Sequence, residues 1–229
     1  MCGRVRLSSD VSEIKLVFSI PPRRPSPNFP PSWNVAPTDP LPVVRYDAKA
    51  GERSLDVLRW GLVPYWAKDL KVGFANINAK AEGIENRPAF REAFQRRRCL
   101  VPVDNFYEWK KTATGKQPYA IALADRGLMA LGGLWENWRS PAGKWVRSFA
   151  IVTTESNALW PSFTTGCRWS LALRLGRLGS GRSRRMRVSS RPFLHPIGGS
   201  RPVLGGCAQV ATEQGQTALR PPVHATTRE

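Results

Sequence analysis

Short apolar runs bounded by turn residues recur along the first two-thirds of the chain. Strand-type runs stand at residues 42–46 (PVVRY), 55–60 (LDVLRW), 99–103 (CLVPV), 119–124 (YAIALA), 129–135 (MALGGLW) and 145–153 (WVRSFAIVT). Turn residues separate them at 47–51, at Thr114-Gly115 and at 141–143. Two helices are predicted. One covers about residues 10–18, with Ser8 to Asp10 available as caps; the other covers about 87–97, with Asn86 at the N-cap and Pro88 in the first turn. Many strands and few helices predict an α+β fold, a mostly antiparallel, curled and barrel-like sheet with flanking helices.

The pattern stops after about residue 158. Residues 174–191 (RLGRLGSGRSRRMRVSSR) have neither the 3.6-residue nor the 2-residue apolar period. By composition residues 159–229 are an Arg/Gly/Ser/Pro-rich segment, predicted to be disordered, and residues 1–158 are the folded domain. Residues 1–158 hold 24 basic and 15 acidic residues, and 159–229 hold 11 and 2, so each part carries +9. All 11 basic residues of the second part are arginine, and it has no lysine, aspartate or tyrosine.

The whole chain of 229 residues is long enough to bury a sizeable core. Its net charge of +18 points to a polyanionic partner, nucleic acid first. No apolar run approaches the roughly 20 residues of a membrane span, and MCGRVRLSSD at the start lacks the apolar stretch of a secretory signal. Collagen, coiled coil, membrane protein and secreted disulfide scaffold are excluded, leaving a soluble, cytoplasmic protein as the expectation. The four cysteines (Cys2, Cys99, Cys167, Cys207) form no CxxC pair and only two histidines are present, so neither a structural metal nor a cofactor is predicted. Cys99 opens an apolar run and reads as core.

Cys2 has chemistry of its own. Removal of Met1, usual before a small residue, would leave cysteine as the N-terminus. Its amine (pKa about 7.7–8.0) and thiol (about 8.5) would then sit on adjacent carbons, both partly deprotonated near neutrality. Such a 1,2-aminothiol condenses with aldehydes: the amine forms an imine, the thiolate adds to it, and a five-membered thiazolidine closes. The second step is intramolecular and gains from proximity. Alone, a cysteine at position 2 is an incidental feature.

Five motifs change that weight: MCGR at 1–4, NVAPT at 34–38, WGLVPYW at 60–66, NINAKAE at 76–82 and VPVDNFYEWKK at 101–111. In this order and spacing, over residues 1 to about 158, the chain closely resembles the SOS-response-associated peptidase family, whose members process abasic sites in single-stranded DNA. The resemblance implies a thiazolidine crosslink between the N-terminal cysteine and the ring-opened aldehyde of an abasic deoxyribose. It carries the catalytic roles to Cys2, Asn78 and Glu108. A carboxylate beside amine and aldehyde can shuttle protons, and an asparagine offers donor and acceptor to orient the sugar. Without the motif, Glu108 would read as a solvated strand residue and Asn78 as a turn residue. The implied partner is single-stranded DNA containing abasic sites, bound by a monomer associated with the nucleoid, with no membrane involved. Arg4, beside the cysteine, and Lys80, where the family usually has arginine, would hold phosphates, and Trp66 would stack or wedge at the lesion. Lysine keeps the charge there but lacks the planar fork. Trp60 reads as interior, and Arg96-Arg97-Arg98 as a solvated helix end.

The family's remaining catalytic residue, a histidine in a segment His-Asp-Arg-Met-Pro, has no counterpart at its place. Residues 163–171 read FTTGCRWSL. Codons TTC ACG ACC GGA TGC CGG TGG TCC TTG, allowed for that stretch, give His-Asp-Arg-Met-Pro-Val-Val-Leu when read two bases later; Phe-Thr alone forces His or Tyr at the first shifted codon. A frame change between about Ser156 and Phe163 accounts for the arginine-only basic content and the lost periodicity. Such a chain would lack the histidine's proton transfers and the strands that complete the sheet, leaving exposed edges and low stability. A natural arginine-rich DNA-binding tail is the rival account. Three activities stay open: an abasic-site-processing enzyme of hydrolase or lyase type, active or impaired; a single-strand-binding remnant without chemistry; and a thiol peptidase.

Overall fold

The computed structural model describes residues 3–113, 115–123, 125–154 and 172–173. Each predicted apolar run overlaps a strand, the run at 119–124 only as far as Ala122. They fall in β3 (Pro40–Asp47), β4 (Glu52–Trp60), β6 (Arg98–Val103), β8 (Gly115–Ala122), β9 (Met129–Arg139) and β10 (Trp145–Thr153). Four shorter or more polar strands join them: β1 (Val5–Leu7), β2 (Ser32–Val35), β5 (Asn78–Lys80) and β7 (Asn105–Thr112). The turn at 47–51 closes the β3–β4 hairpin with Gly51 at φ +67°, and the turn at 141–143 closes β9–β10 with Gly143 at φ +82°.

β9, β6, β3, β4 and β10 pair in that order, and β10 returns to β9, so five strands close into a barrel. Pairing is antiparallel except along one edge of β10, which runs parallel first to β4 (Phe149 opposite Trp60) and then to β5 (Ile151 opposite Asn78). A second sheet, ordered β2-β1-β7-β8, departs from the barrel at Asp104, the residue between β6 and β7. The α+β, curled-barrel expectation matches this architecture.

β10 shows why its run is continuous rather than alternating. Phe149 and Ile151 face the main core with Leu41, Val43, Trp60, Val101 and Leu131, whereas Ala150 faces a second cluster with Leu62, Ala79, Ile84 and Phe90. Both faces are covered, so both registers must be apolar. Each large side chain so buried contributes roughly 1.5–3 kcal/mol. Val5, Leu7 and Phe106 bring the second sheet into the same core.

α1 (Val11–Val17) starts where predicted, with the Asp10 carboxylate accepting from Ser12 N at 2.7 Å. It buries Ile14, and Phe18 at its C-cap is buried too. The second helix is shorter than predicted: α2 spans only Arg91–Arg96. Arg87 precedes Pro88 and is driven to extended backbone (φ −87°, ψ 118°), so Asn86 ends a 3₁₀ turn over Ile84–Asn86 instead of capping a helix. Nor is its end wholly solvated. Arg97 Nη2 donates to the buried Glu136 at 2.8 Å and pairs with Glu92 at 3.1 Å, tying α2 to β9. Cys99 is buried, and burial pushes its thiol pKa well up.

The disorder predicted for 159–229 falls outside the described residues, except for β11 (Ala172–Leu173), which pairs antiparallel with Leu131 and Ala130 of β9. Among the described residues no helix is long and apolar enough to cross a membrane, and no group of three His, Cys, Asp or Glu is placed to hold a metal ion.

Candidate active site

Two of the sequence motifs are folded onto each other. β4 ends at Trp60, and the chain leaves the barrel through residues 61–69 and a 3₁₀ turn (Leu70–Asn76) before returning as β5. Leu62 N donates to Asn76 O and Asn76 Nδ2 donates to Leu62 O, both at 3.1 Å. The Ile77 carbonyl accepts from Trp60 Nε1 at 2.9 Å and from Ile151 N at 3.1 Å. The Trp60 indole is fully buried, stacked on Phe149 with ring centroids 6.2 Å apart. The crossing is tight. A Cβ on Gly61 would lie 2.7 Å from Gly73 O, and one on Gly73 would lie 2.6 Å from Gly61 O; Gly61 also has φ +117°, a conformation glycine alone tolerates well. Asn78 therefore starts β5 from a backbone held on three sides, with its Oδ1 buried.

Lys80, two residues on, shares a strand face with Asn78 and lies half-buried opposite Thr153. Thr153 is fully buried, and its Oγ1 has no hydrogen-bond partner among the described residues. Nothing in the sequence marks Thr153, since it closes an ordinary apolar run.

Glu108 lies on β7. Val5 opposes Phe106, and Tyr107 N donates to Arg4 O at 2.9 Å. Carried on in the same antiparallel register, Gly3 comes opposite Glu108. Strand alternation puts Glu108 on the face of Phe106, toward the core, and only 3% of it is exposed. It is not the solvated strand residue that its Lys110-Lys111 neighbours suggest. Burial raises its pKa above the ordinary carboxylate value, against the pull of the Trp109 N–H. A carboxyl raised this way can hold and release a proton nearer neutrality than an exposed one.

The register itself is clamped by Asp104. Its carboxylate accepts from Ser8 N (2.6 Å), Ser8 Oγ (2.8 Å) and Ser9 Oγ (2.6 Å), and its N–H donates to Arg6 O (2.9 Å). Sequence reading overlooked this residue, although its place inside the VPVDNFYEWKK motif is the available signal.

Arg4 is half-buried, on the face of Tyr107, with Nη1 donating to Gly3 O at 2.9 Å. Trp66 is 51% exposed on the 61–69 connection, beside the exposed Tyr65. That connection is anchored below the rings by Trp138 Nε1 donating to Ala67 O at 2.6 Å and by Val63 N donating to Ser148 Oγ at 2.8 Å. The structure thus sets Arg4, just before β1, beside Tyr107, with Glu108 one residue on and on the opposite face of that sheet, and puts Asn78 and Lys80 on one strand of the other sheet. Cys2 lies outside the described residues, as does the place of the family's histidine.

The chain is similar to proteins of known family over the part that carries these residues. It is 40% identical over 160 residues to the abasic site processing protein YoqW of Bacillus subtilis (strain 168), covering 69% of this chain and 70% of that one. It is 41% identical over 158 residues to the abasic site processing protein YoaM of the same organism, covering 69% of each. A more distant relative, the abasic site processing protein HMCES of Mus musculus, is 28% identical over 173 residues, covering 60% of this chain and 49% of that one. The fold matches a crystal structure of a protein from Bacteroides thetaiotaomicron with a TM-score of 0.67 at 22% identity, covering 75% of this chain and 77% of that one. The SOS response associated peptidase (SRAP) family model matches residues 1–163. The chain belongs to the SOS response associated peptidase family.

Proposed function

We propose that this chain processes abasic sites in single-stranded DNA by forming a covalent thiazolidine through Cys2 after removal of Met1, acting as a monomer on nucleoid DNA in the cytoplasm. One observation carries the reading. The β1–β7 register sets the first described residue, Gly3, opposite a buried carboxyl with raised pKa, and Cys2 is the residue bonded to Gly3. The names of the similar proteins, and the family to which the chain belongs, point to the same substrate.

The chemistry follows from those positions. The Cys2 amine attacks C1′ of the ring-opened deoxyribose, forming a C–N bond. The Glu108 carboxyl protonates the hydroxyl of the carbinolamine, which leaves as water and yields the imine in its protonated, N–H-bearing form. The thiolate adds to the imine carbon, forming the C–S bond, and the nitrogen keeps one proton as the thiazolidine N–H. One water is lost and nothing is oxidised or reduced. A carboxylate returned to its acid form by the thiol proton closes the cycle. Asn78, on its fixed backbone, orients the sugar; Arg4 and Lys80 take phosphates and Trp66 stacks at the gap.

Incubation with a uracil-containing single strand treated with uracil glycosylase, followed by a denaturing gel, tests this. A covalent band that disappears in Cys2→Ala supports it. Salt-sensitive binding without a band supports a second reading, a single-strand-binding remnant. That reading is favoured by FTTGCRWSL at residues 163–171, where the family has its histidine segment. Cleavage of casein would support a peptidase instead. We place the domain boundary near residue 158, with a change of reading frame between about Ser156 and Phe163. The family match ends at residue 163, in keeping with that placement. An uninterrupted frame through codons 150–170 in independent isolates would overturn it.

A further inference from the structure

β2 does not alternate as a short strand should. Val35 opposes Val5 and Ser32 opposes Leu7, so three residue steps of β2 face two of β1. The extra residue makes a bulge, which can re-aim side chains next to a site. Trp33 and Asn34 are both exposed, and Trp33 is 58% exposed although its strand neighbour Val35 is buried. A tryptophan left out of the core forgoes one of the largest burial gains available to a side chain.

Its backbone is nonetheless held. Tyr107 Oη donates to Trp33 O at 2.9 Å, and Tyr107 N donates to Arg4 O at 2.9 Å. Tyr107 immediately precedes Glu108. One tyrosine thus ties the exposed indole to the strand that leads to Cys2. The bulge lies beside Arg6, three residues along β1 from Gly3, or about 10 Å at ~3.3 Å per residue. Arg4, between them, uses Nη1 on Gly3 O and has further donors to offer. The Arg4 cation, the Trp33 aromatic face and Gly3, the residue bonded to Cys2, therefore lie along one short stretch of one sheet.

We propose that Trp33 is a stacking platform for a nucleobase flanking the abasic residue, with Arg4 holding the intervening phosphate. Aromatic faces accept any base, so the platform recognises the single strand beside the gap and not its sequence. This inference rests on the single-stranded DNA reading above and adds a contact that places the lesion. Stacking on the indole also fixes which way the strand enters.

The test is equilibrium binding of the full chain to fluorescent single strands with one central tetrahydrofuran residue, an abasic analogue without an aldehyde. One set has bases on both sides; in two others the neighbouring base on one side is also replaced by tetrahydrofuran. Removing the base on one side should weaken binding roughly five- to a hundredfold, the range of a single base–aromatic stack. Trp33→Ala should lose that preference with an unchanged melting temperature, and Trp33→Phe should keep most of it. A parent chain indifferent to both flanking bases overturns the proposal. So does a Trp33→Ala variant that keeps the preference, whether its affinity is unchanged, as for a surface that docks another protein, or is reduced equally for all three strands. Failure of the covalent reading shows separately, as no band on aldehyde-bearing DNA while the flanking-base preference persists.

Discussion

Replacing Glu108 by glutamine keeps the shape and removes the ionisation, so it separates the cost of the group from its use. In the folded chain the carboxyl is nearly inaccessible and burial raises its pKa above the ordinary 4.5. Below the unfolded pKa both folded and unfolded chains hold the proton, and the group costs nothing. As pH rises through the folded pKa, ionisation favours the unfolded chain, and stability falls to a lower plateau. Every tenfold of proton affinity that burial adds is equivalent to about 1.4 kcal/mol on that plateau. Glu108→Gln should therefore be more stable than the parent at pH 7–8 and equal to it below the ordinary carboxylate range. Urea unfolding across pH measures the difference, and carbon-13 NMR of the parent carboxyl gives the folded pKa that must account for it. The same variant should crosslink abasic DNA about 10²–10⁴-fold more slowly, the usual worth of a positioned acid or base. A variant no more stable at neutral pH that reacts at the parent rate would refute both the burial argument and the proton-transfer role.

Three further outcomes follow from the packing and the charges. Trp60→Ala removes a fully buried indole and the donor to Ile77 O, and should cost about 3–5 kcal/mol in urea unfolding; a loss below about 1 kcal/mol would contradict the anchoring of β5 described above. Cys99, buried with its pKa pushed up, should resist iodoacetamide at pH 8 in the native chain and react after denaturation, as peptide mass spectrometry reads directly. Lys80→Arg supplies a fork in place of a point charge and should tighten single-strand binding roughly fivefold, the net ~1 kcal/mol of one ordinary added hydrogen bond; unchanged affinity by fluorescence anisotropy would place Lys80 away from the phosphates.

The barrel strands were legible because their periodicity and turn chemistry agree: apolar runs ended by glycine-bearing turns have few other folds open to them. β5 was not, since three residues of Asn-Ala-Lys have no pattern, and only β10 beside them makes them a strand. β1, of three residues, and β2, of four, become strands by pairing with β7 and with each other. The second helix was overextended because its composition is helical while Pro88 forces the residue before it out of the helical region. Motif resemblance marked Asn78 and Glu108, whereas the features that fix them come from distant contacts. The Gly61–Gly73 crossing and the Asp104 clamp join positions that periodicity cannot connect. The Trp33 bulge is hidden for the same reason, since a bulge is a property of two strands.

The central claim is that a terminal cysteine captures the sugar. Nuclease digestion of the product formed with abasic single-stranded DNA, followed by tandem mass spectrometry of its N-terminal peptide, addresses it directly. The account predicts a peptide that begins at Cys2 and carries the deoxyribose with loss of one water. A chain that still begins at Met1 in every molecule, or an adduct on any other residue, would contradict it.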